Sequence, residues 1–364
     1  MPVEICGLVS HNFGTPLSFA QQDEFSVDAI VSGAKAQEAA GFDRVLIANN
    51  ALMPDPHTIA THVLANTEKL KVLLAHRPGF IAPTAAARML ATIDRLSDGR
   101  VAAHIIAGPS DKELEADGDF LTKPQRYARA KEYVGILRSV WNASEPIDFT
   151  GAFYRFNQAF APIKPQNGLS IPIFWAGTSE ESVDACGAVG DVFAMSGDNL
   201  ATIAEHQARA NAAAAKAGRQ LDFMMTIVVI LGETEQKAWE RAEGVLGKFM
   251  EMLGKGDASK GPSNFAAKTH AGDQVLATAA AGSRHDRCLW MGVAEAAQGK
   301  FGNQTTLVGT PEQVCEALMD YYRMGVTRFL IRGFYPVEDT IEYGRTLFPL
   351  LRAAAEEHHR LQGN

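Results

Sequence analysis

Short apolar runs alternate with longer amphipathic segments along the whole chain. The apolar runs, in order, are VEICGLVS, DRVLIA, KVLLAH, VAAHIIA, IPIFWAG, DVFAMS, FMMTIVVIL and TRFLIRG. Runs without a polar face are typical of parallel strands that are buried on both sides. The segments between them carry apolar residues at helical spacing. Because eight strand–helix alternations are the number that closes a (β/α)₈ barrel, we predict an α/β protein with the TIM-barrel fold.

The segment Ala75–Gly108 shows this alternation most clearly. It joins the end of KVLLAH to the helical pattern PTAAARMLATIDRL, which opens with a proline at its first turn. SDGR then turns the chain into VAAHIIAG, so the segment reads as a βαβ crossover between parallel strands.

Three connections are longer than a minimal barrel needs: residues 108–124, 142–170 and about 254–308. We therefore predict one barrel domain over 1–364, with these insertions at the C-terminal face of the strands. The last is expected to act as a lid, or alternatively to be a disordered or oligomer-contacting excursion. DFTGAFYRF at 148–156 predicts a short hairpin.

Composition and charge narrow the class of protein. The chain has 364 residues, 46% of them hydrophobic, and a net charge of −8 without any basic block. Such a chain can bury a large core, and it lacks the positive surface that nucleic acids or anionic membranes attract. We expect neither as a partner.

The cysteines and the start of the chain favour a reducing, cytoplasmic setting. The four cysteines lie far apart without a CxxC pair, and MPVEICGLVS lacks a basic leader followed by a long apolar core. We assign no chemistry to any cysteine. The histidines show neither HxxxH nor HExxH spacing, so we expect no metal site.

Motifs that mark other enzyme classes are missing from the sequence. It contains no GxSxG elbow, no GxxxxGK[ST] loop and no GxGxxG fingerprint, which removes the usual support for a hydrolase, an ATPase or a Rossmann dehydrogenase. A phosphate site is better supported, because AGTSEES leads from a strand into a helix, where backbone N–H groups and Ser179 face an anion. Arg126 adds a bidentate donor. In the alternative interpretation, Thr178 or Ser179 is only an N-cap and Arg126 a solvated helix residue.

Polar residues at the carboxyl ends of the strands are the candidates for chemistry, because TIM barrels carry their active sites there. His11, His76 and His104 are the predicted general acid–base groups, since a histidine titrates near neutrality. His104 interrupts an apolar strand and is alternatively a core histidine with a hydrogen-bond partner.

The motifs together resemble one family. GFDRVLI, the block RPGFIAPTAAARMLATIDRLSDGR, DGDFLTKPQRYARAKEYVGILRSVW, FTGAFYRF, IPIFWAGTS, TLVGTPEQV and GRTLFPLL are similar, over nearly the whole chain, to the bacterial luciferase-like flavin monooxygenases. The similarity is greatest to the alkanesulfonate and pyrimidine monooxygenase branch.

The resemblance implies a set of FMN-contacting residues, with His104 standing where the relatives have Asn. By motif these positions are Asn49, Asn50, His104, Glu113, Arg126, Tyr127, Gly177 and Ser179. Arg126, Tyr127 and Ser179 are suited to the phosphate, whereas Glu113 and the asparagines can bind ribityl hydroxyls or the ring edge.

The residues predicted for the substrate pocket depart from the alkanesulfonate monooxygenases. They are Met53, Trp175, Ser196, Thr226, Arg332, Phe334 and Tyr335. The relatives have Arg and His on the seventh strand, where this chain has Thr226 and Val228. Without that cationic clamp an alkanesulfonate substrate is disfavoured, although Arg332, Arg77 and His11 offer charge from elsewhere. Met53, Trp175, Phe334 and Tyr335 form either an apolar pocket wall or ordinary core packing.

The resemblance implies a cytoplasmic two-component enzyme in which an NAD(P)H:flavin reductase supplies reduced FMN. With O₂ as co-substrate, such an enzyme oxygenates a small organic molecule, organosulfur compounds being one class. It also implies a homodimer or homotetramer. Two alternatives stay open: a deazaflavin- or NAD(P)H-dependent oxidoreductase on the same barrel, and a non-catalytic flavin-binding protein.

Overall fold

A computed structural model describes residues 2–17, 24–108, 110–166, 168, 170–255, 270–298 and 304–362. Thirteen strands are assigned there: β1 Glu4–Leu8, β2 Arg44–Ile47, β3 Lys71–His76, β4 Val101–Ile105, β5 Ile147–Thr150, β6 Arg155–Ala159, β7 Ile173–Ala176, β8 Val192–Ser196, β9 Asp222–Leu231, β10 Arg284–His285, β11 Leu289–Trp290, β12 Thr306–Gly309 and β13 Val326–Arg332. The α-helices are α1 Val27–Ala40, α2 Pro56–Ala65, α3 Pro83–Leu96, α4 Asp111–Ala116, α5 Lys123–Asn142, α6 Glu180–Val189, α7 Leu200–Lys216, α8 Glu235–Lys255, α9 His270–Ala281, α10 Gly292–Ala297, α11 Pro311–Arg323, α12 Pro336–Glu342 and α13 Phe348–Gln362.

Eight strands form a closed parallel barrel in the order β9-β13-β1-β2-β3-β4-β7-β8, and pairing of β8 with β9 closes it. These eight strands coincide with the eight apolar runs of the sequence, so the predicted TIM barrel is confirmed. The hairpin predicted at 148–156 is confirmed as the antiparallel pair β5–β6.

Strand β9 is ten residues long and pairs with both β13 and β12. Its first part pairs with β13, and its second part pairs in parallel with β12, which continues into β11 and β10 outside the barrel. Val228 is opposite both Arg332 of β13 and Thr306 of β12. The sequence analysis missed these three outer strands because they are only two to four residues long.

The predicted insertions contain secondary structure of their own. Residues 108–124 include α4, and the described part of 254–308 contains α9, β10, β11 and α10. Residues 256–269 and 299–303 of the predicted lid lie outside the described residues.

Local sequence signals explain where the helices begin and end. Ser26 caps α1 by accepting the Ala29 N–H at 3.1 Å, and Gly41 ends that helix in the left-handed region at φ +90°. The C-terminal helical pattern is broken by a π-helix at Tyr343–Leu347. Pro349 explains part of this break, because it has no N–H to donate to the carbonyl four residues earlier.

The chain divides into two compact units. Unit 1 comprises Met1–Val45, Ala194–Gln207 and Asp222–Asn364, and unit 2 comprises Leu46–Phe193 and Ala208–Leu221. Unit 1 contains an apolar cluster that includes Val228, Phe249, Trp290 and Phe334. None of the helices described in either unit is long and apolar enough to cross a membrane.

Candidate functional site

The turn between β7 and α6 in unit 2 has a backbone shape that requires glycine. Gly177 adopts φ +116°, and a Cβ atom there would lie 2.6 Å from the Tyr127 hydroxyl and 2.5 Å from Ser182 Oγ. A side chain at this position would therefore displace both hydroxyls. The turn holds Tyr127 against the start of α6.

Ser179 stands at the N-cap position of α6, in extended backbone with φ −69° and ψ 158°, but its side chain makes no capping hydrogen bond. Its Oγ is buried and makes no hydrogen bond of normal geometry among the described residues, although it lies near enough to the Tyr127 hydroxyl to lower the pKa of that tyrosine. Buried hydroxyls are nearly always paired, so this one is suited to a ligand. Glu180 and Glu181, in the first turn, are exposed. The positive end of the helix dipole makes an anion the favoured ligand.

The Trp175 side chain positions the Tyr127 ring. Its ring stacks on Trp175 with 6.5 Å between ring centroids, and the Trp175 indole N–H donates to Ser182 Oγ at 3.0 Å. Burial raises the pKa of Tyr127, so its hydroxyl keeps its proton and can donate it in a hydrogen bond at neutral pH. Trp175 is fully buried, as the core-packing alternative predicted, so it supports Tyr127 and presents no surface to a substrate.

Arg126 is buried, so the alternative in which it is a solvated helix residue is wrong. Its Nη1 donates to the Leu121 carbonyl at 2.6 Å, and its Nη2 pairs with Asp111 at 2.8 Å. Nε has no partner among the described residues. Since Asp111 is 75% exposed, this pair exchanges readily with solvent or an anion.

Glu113 is engaged inside the protein. Its carboxylate forms a buried ion pair with Arg77 and accepts the Ala51 N–H at 3.0 Å. Arg77 also pairs with Asp117 at 3.1 Å. Arg77 was predicted as a possible source of positive charge for an anionic substrate. Its charge is neutralised by these two carboxylates within unit 2.

Asn49 and Asn50 lie half-buried in the loop after β2. The Asn49 side chain donates to the Ala75 carbonyl at 3.3 Å, and Asn50 Oδ1 accepts the Leu52 N–H at 2.8 Å. Each amide keeps hydrogen-bonding capacity for another group. Met53, in the same loop, is 36% exposed, so it is not core packing.

His76 and His104 do not titrate near neutrality, which was the argument for choosing them. Burial lowers the pKa of His76 to about 3 and that of His104 to about 4. Both nitrogens of His76 are engaged, by His57 at 3.0 Å and by the Tyr133 hydroxyl at 2.8 Å. His104 Nδ1 has no partner among the described residues, so the satisfied-core alternative does not describe it. A neutral His104 can still orient a ligand.

In unit 1, His11 follows β1 and is half-buried. Asn12 Oδ1 accepts hydrogen bonds from Ser10 and from the Gly14 N–H, so its Nδ2 donates to His11 Nε2 at 3.2 Å. This assigns the proton of neutral His11 to Nδ1.

Two predicted pocket residues of unit 1, Phe334 and Tyr335, are engaged by internal contacts. Phe334 is 1% exposed in the apolar cluster, as the packing alternative predicted. The Tyr335 hydroxyl accepts from Lys248 at 2.8 Å, and its N–H donates to Asp339 at 2.8 Å. Burial lowers the pKa of Arg332 to about 10, which leaves it charged at neutral pH.

Ser196 and Thr226 are half-buried at the end of β8 and within β9. The Thr226 carbonyl accepts the Gly197 N–H at 2.7 Å. No group of three or more ligating side chains in the part of the chain that the structure describes could hold a metal ion. All four cysteines are buried and free.

The chain belongs to the luciferase-like monooxygenase family, whose pattern it matches over residues 8–328. Solved structures with the same fold include a riboflavin lyase with modified FMN and riboflavin, with a TM-score of 0.78 and 20% identity over 97% of this chain and 92% of that chain. The EDTA monooxygenase of Chelativorans sp. BNC1 has a TM-score of 0.77 and 16% identity over 97% of this chain and 94% of that one.

A third structure is a secondary alcohol dehydrogenase that depends on coenzyme F420. Its TM-score is 0.67, with 17% identity over 96% of this chain and 99% of that chain. Solved structures with this fold thus include enzymes of flavin and of F420, and this chain is an oxidoreductase of the luciferase-like monooxygenase family.

Proposed function

We propose that the protein is the oxygenase component of a two-component FMN-dependent monooxygenase. A separate NAD(P)H:flavin reductase provides reduced FMN, and O₂ is the co-substrate. The observation that carries the proposal is the buried, unpartnered Ser179 hydroxyl at the start of α6, beside the Gly177 turn. When bound, reduced FMN supplies the electrons that activate O₂ for oxygenation of a small organic molecule.

The donors of unit 2 fit the phosphate of FMN. Three kinds of donor lie at the turn between β7 and α6 and can bind an anion there. They are Ser179 Oγ, the first N–H groups of α6 and the protonated Tyr127 hydroxyl. The Arg126 guanidinium contributes positive charge, and it pairs with Asp111 when no anion is bound. Asn49, Asn50 and His104 keep polar atoms for the ribityl chain or the ring edge.

We assign the proton-holding role to His11. Unlike His76, it is not fully buried, and Asn12 leaves its Nδ1–H as a donor. Buried His104 stays neutral at pH 7 and serves as a polar contact. Exposed Met53, in the loop that carries Asn49 and Asn50, favours a compact, largely apolar substrate. With Thr226 and Val228 on β9, a sulfonate is disfavoured.

A deazaflavin-dependent oxidoreductase is the second candidate, favoured by the similarity to the F420-dependent alcohol dehydrogenase. The two candidates are separated by the carrier that binds and by the fate of oxygen. Incorporation of ¹⁸O from labelled O₂ into a product supports the monooxygenase. Tight binding of oxidised deazaflavin, without any oxygen incorporation, supports the alternative.

Ser179→Ala tests the phosphate site. Its hydroxyl makes no capping hydrogen bond, so we expect about 10-fold weaker binding of reduced FMN and unchanged thermal unfolding. Binding is measured anaerobically by flavin fluorescence. Ser139→Ala is the matched control, because this exposed hydroxyl only bonds the Gly135 carbonyl within α5.

Equal FMN affinity in the Ser179 and Ser139 variants would remove Ser179 from the phosphate site. Arg126→Ala is less diagnostic than Ser179→Ala. Its guanidinium also holds the Leu121 carbonyl, so this variant loses stability as well as affinity.

A further inference from the structure

Arg77 is the centre of a buried network that joins three loops of unit 2. It follows β3 directly, and its side chain is 4% exposed. The guanidinium pairs with Glu113 in α4 and, at 3.1 Å, with Asp117 just after that helix. It also lies 5.7 Å from the centre of the Phe80 ring in its own loop.

Glu113 extends this network to the loop after β2. Its carboxylate accepts the Ala51 N–H at 3.0 Å, although 62 residues separate the two in sequence. Ala51 lies within a tight turn in which the Met53 N–H donates to the Asn50 carbonyl at 3.1 Å. The position of Asn50 therefore depends on Glu113, and the position of Glu113 depends on Arg77.

The burial of the pair makes this dependence strong. The side chains of Arg77 and Glu113 are 4% and 3% exposed, so neither charge can turn to water when its partner is lost. A buried carboxylate without its cation is strongly destabilised, and the chain around it rearranges to reach solvent or another donor. The Asn50 turn is the nearest segment held by that carboxylate.

We propose that Arg77 is a positioning residue for flavin binding, acting through Glu113 on the loop that carries Asn49 and Asn50. The proposal rests on the proposed function, because it takes those asparagines to contact reduced FMN. Arg77 itself bonds Glu113 and Asp117, and it sets the loop geometry before the cofactor arrives.

The experiment compares Arg77→Gln and Arg77→Lys with the control Arg100→Gln. Arg100 is a partly buried arginine of the same unit that bonds the Leu64, Leu70 and Ser97 carbonyls, away from the Asn50 turn. Amide hydrogen exchange of the flavin-free proteins reports on the segments 49–53 and 111–117. Anaerobic fluorescence titration then gives the affinity for reduced FMN, well below each variant's unfolding temperature.

We expect about 10-fold faster exchange at 49–53 in Arg77→Gln and about 10-fold weaker reduced-FMN binding. Arg77→Lys keeps the charge but not the fork that reaches two carboxylates, so a partial effect is expected. Arg100→Gln should lower the unfolding temperature and change neither readout. If Arg77→Gln does not fold, the lysine variant alone decides between the outcomes.

Two results would overturn the proposal. One is amide exchange at 49–53 in Arg77→Gln that matches the wild type. The other is an FMN affinity of Arg77→Gln equal to that of the wild type, provided that the wild type binds reduced FMN. Failure of the wild type to bind reduced FMN is a different outcome. It would contradict the proposed function, whereas the exchange measurement would still show whether Arg77 holds the loop.

Discussion

Each unit contains an arginine–carboxylate pair beside predicted site residues, and the two pairs differ in reach. In unit 2, Arg77 and Glu113 are both nearly inaccessible, and Glu113 holds an N–H group 62 residues away. In unit 1, Arg241 is 29% exposed and pairs with Asp339, which holds the Tyr335 N–H only four residues away. Glu113 thus holds the backbone of a separate loop, whereas Asp339 holds the backbone of its own turn and links that turn to α8 through Arg241.

The neighbouring residues show the same contrast. Ser179 and His104 in unit 2 keep buried polar atoms without partners among the described residues. In unit 1, Phe334 is in the apolar cluster, and the Tyr335 hydroxyl is bonded by Lys248. These polar atoms of unit 2 are suited to a polar ligand, whereas Phe334 and Tyr335 of unit 1 are engaged by contacts within the protein.

The largest expected effect comes from breaking the two pairs. Glu113→Ala leaves Arg77 buried with only Asp117 and should cost about 3–5 kcal/mol of unfolding free energy. Asp339→Ala leaves Arg241 partly exposed with Glu342 at 2.7 Å and should cost about 1–2 kcal/mol. Urea unfolding measures both. Equal costs would show that the pairs do not differ in the way their burial indicates.

Gly177→Ala tests whether unit 2 depends on a backbone shape. A methyl group at φ +116° would meet the Tyr127 and Ser182 hydroxyls, so we expect about 100-fold weaker reduced-FMN binding. Gly41→Ala in unit 1 is the control, since its φ is +90° and no atom lies within 4 Å of the added methyl. Backbone strain should lower the unfolding free energy of both variants, whereas only Gly177→Ala should weaken the binding of reduced FMN.

Per pH unit, the smallest effect is a pH response of opposite sign in the two units. Burial lowers the pKa of His76 from 6.5 to about 3, so the unfolded chain binds the proton first and stability is lost as pH falls through this range. Burial raises the pKa of Asp339 from 3.8 to about 6, so the folded state binds the proton first and stability is gained as pH falls from 6 to 3.8. Each contributes up to about 1.4 kcal/mol per pH unit.

Urea unfolding between pH 4 and 7 separates these contributions. His76→Gln should reduce the loss of stability on acidification, and Asp339→Asn should increase it. His62→Gln, an exposed histidine of α2 in the same unit, is the control variant. A His76 variant with the wild-type pH slope would contradict the assignment of that histidine as buried and neutral.

The barrel could be predicted because its signals are local and repeated. Each strand is an apolar run, and helix boundaries carry residues such as Pro83 or Gly41. Ser179 could be chosen from its place between a strand and a helix. That its hydroxyl lacks a protein partner depends on the distances of neighbouring groups, which no local pattern contains.

Other properties of the site were beyond the sequence for the same reason. Burial and the electrostatic interaction with His57, 19 residues away, lower the pKa of His76, and its second nitrogen is bonded by Tyr133, 57 residues away. The outer strands β10–β12 were too short to show a period. From the sequence, Arg77 is a charge available to a substrate, whereas the structure pairs it with Glu113. Ion pairs between different loops have no characteristic sequence spacing, so the sequence could not predict this one.

The double pairing of β9 has a consequence for redesign toward anionic substrates. Val228 is held in register by Arg332 on one side and by Thr306 on the other, and it is 1% exposed in the cluster with Phe249 and Trp290. An imidazole grafted at 228 would thus enter a dry, aromatic interior. A cation at this position requires concerted exchange of the surrounding apolar side chains, so a single substitution at 228 should not create an anion-binding group.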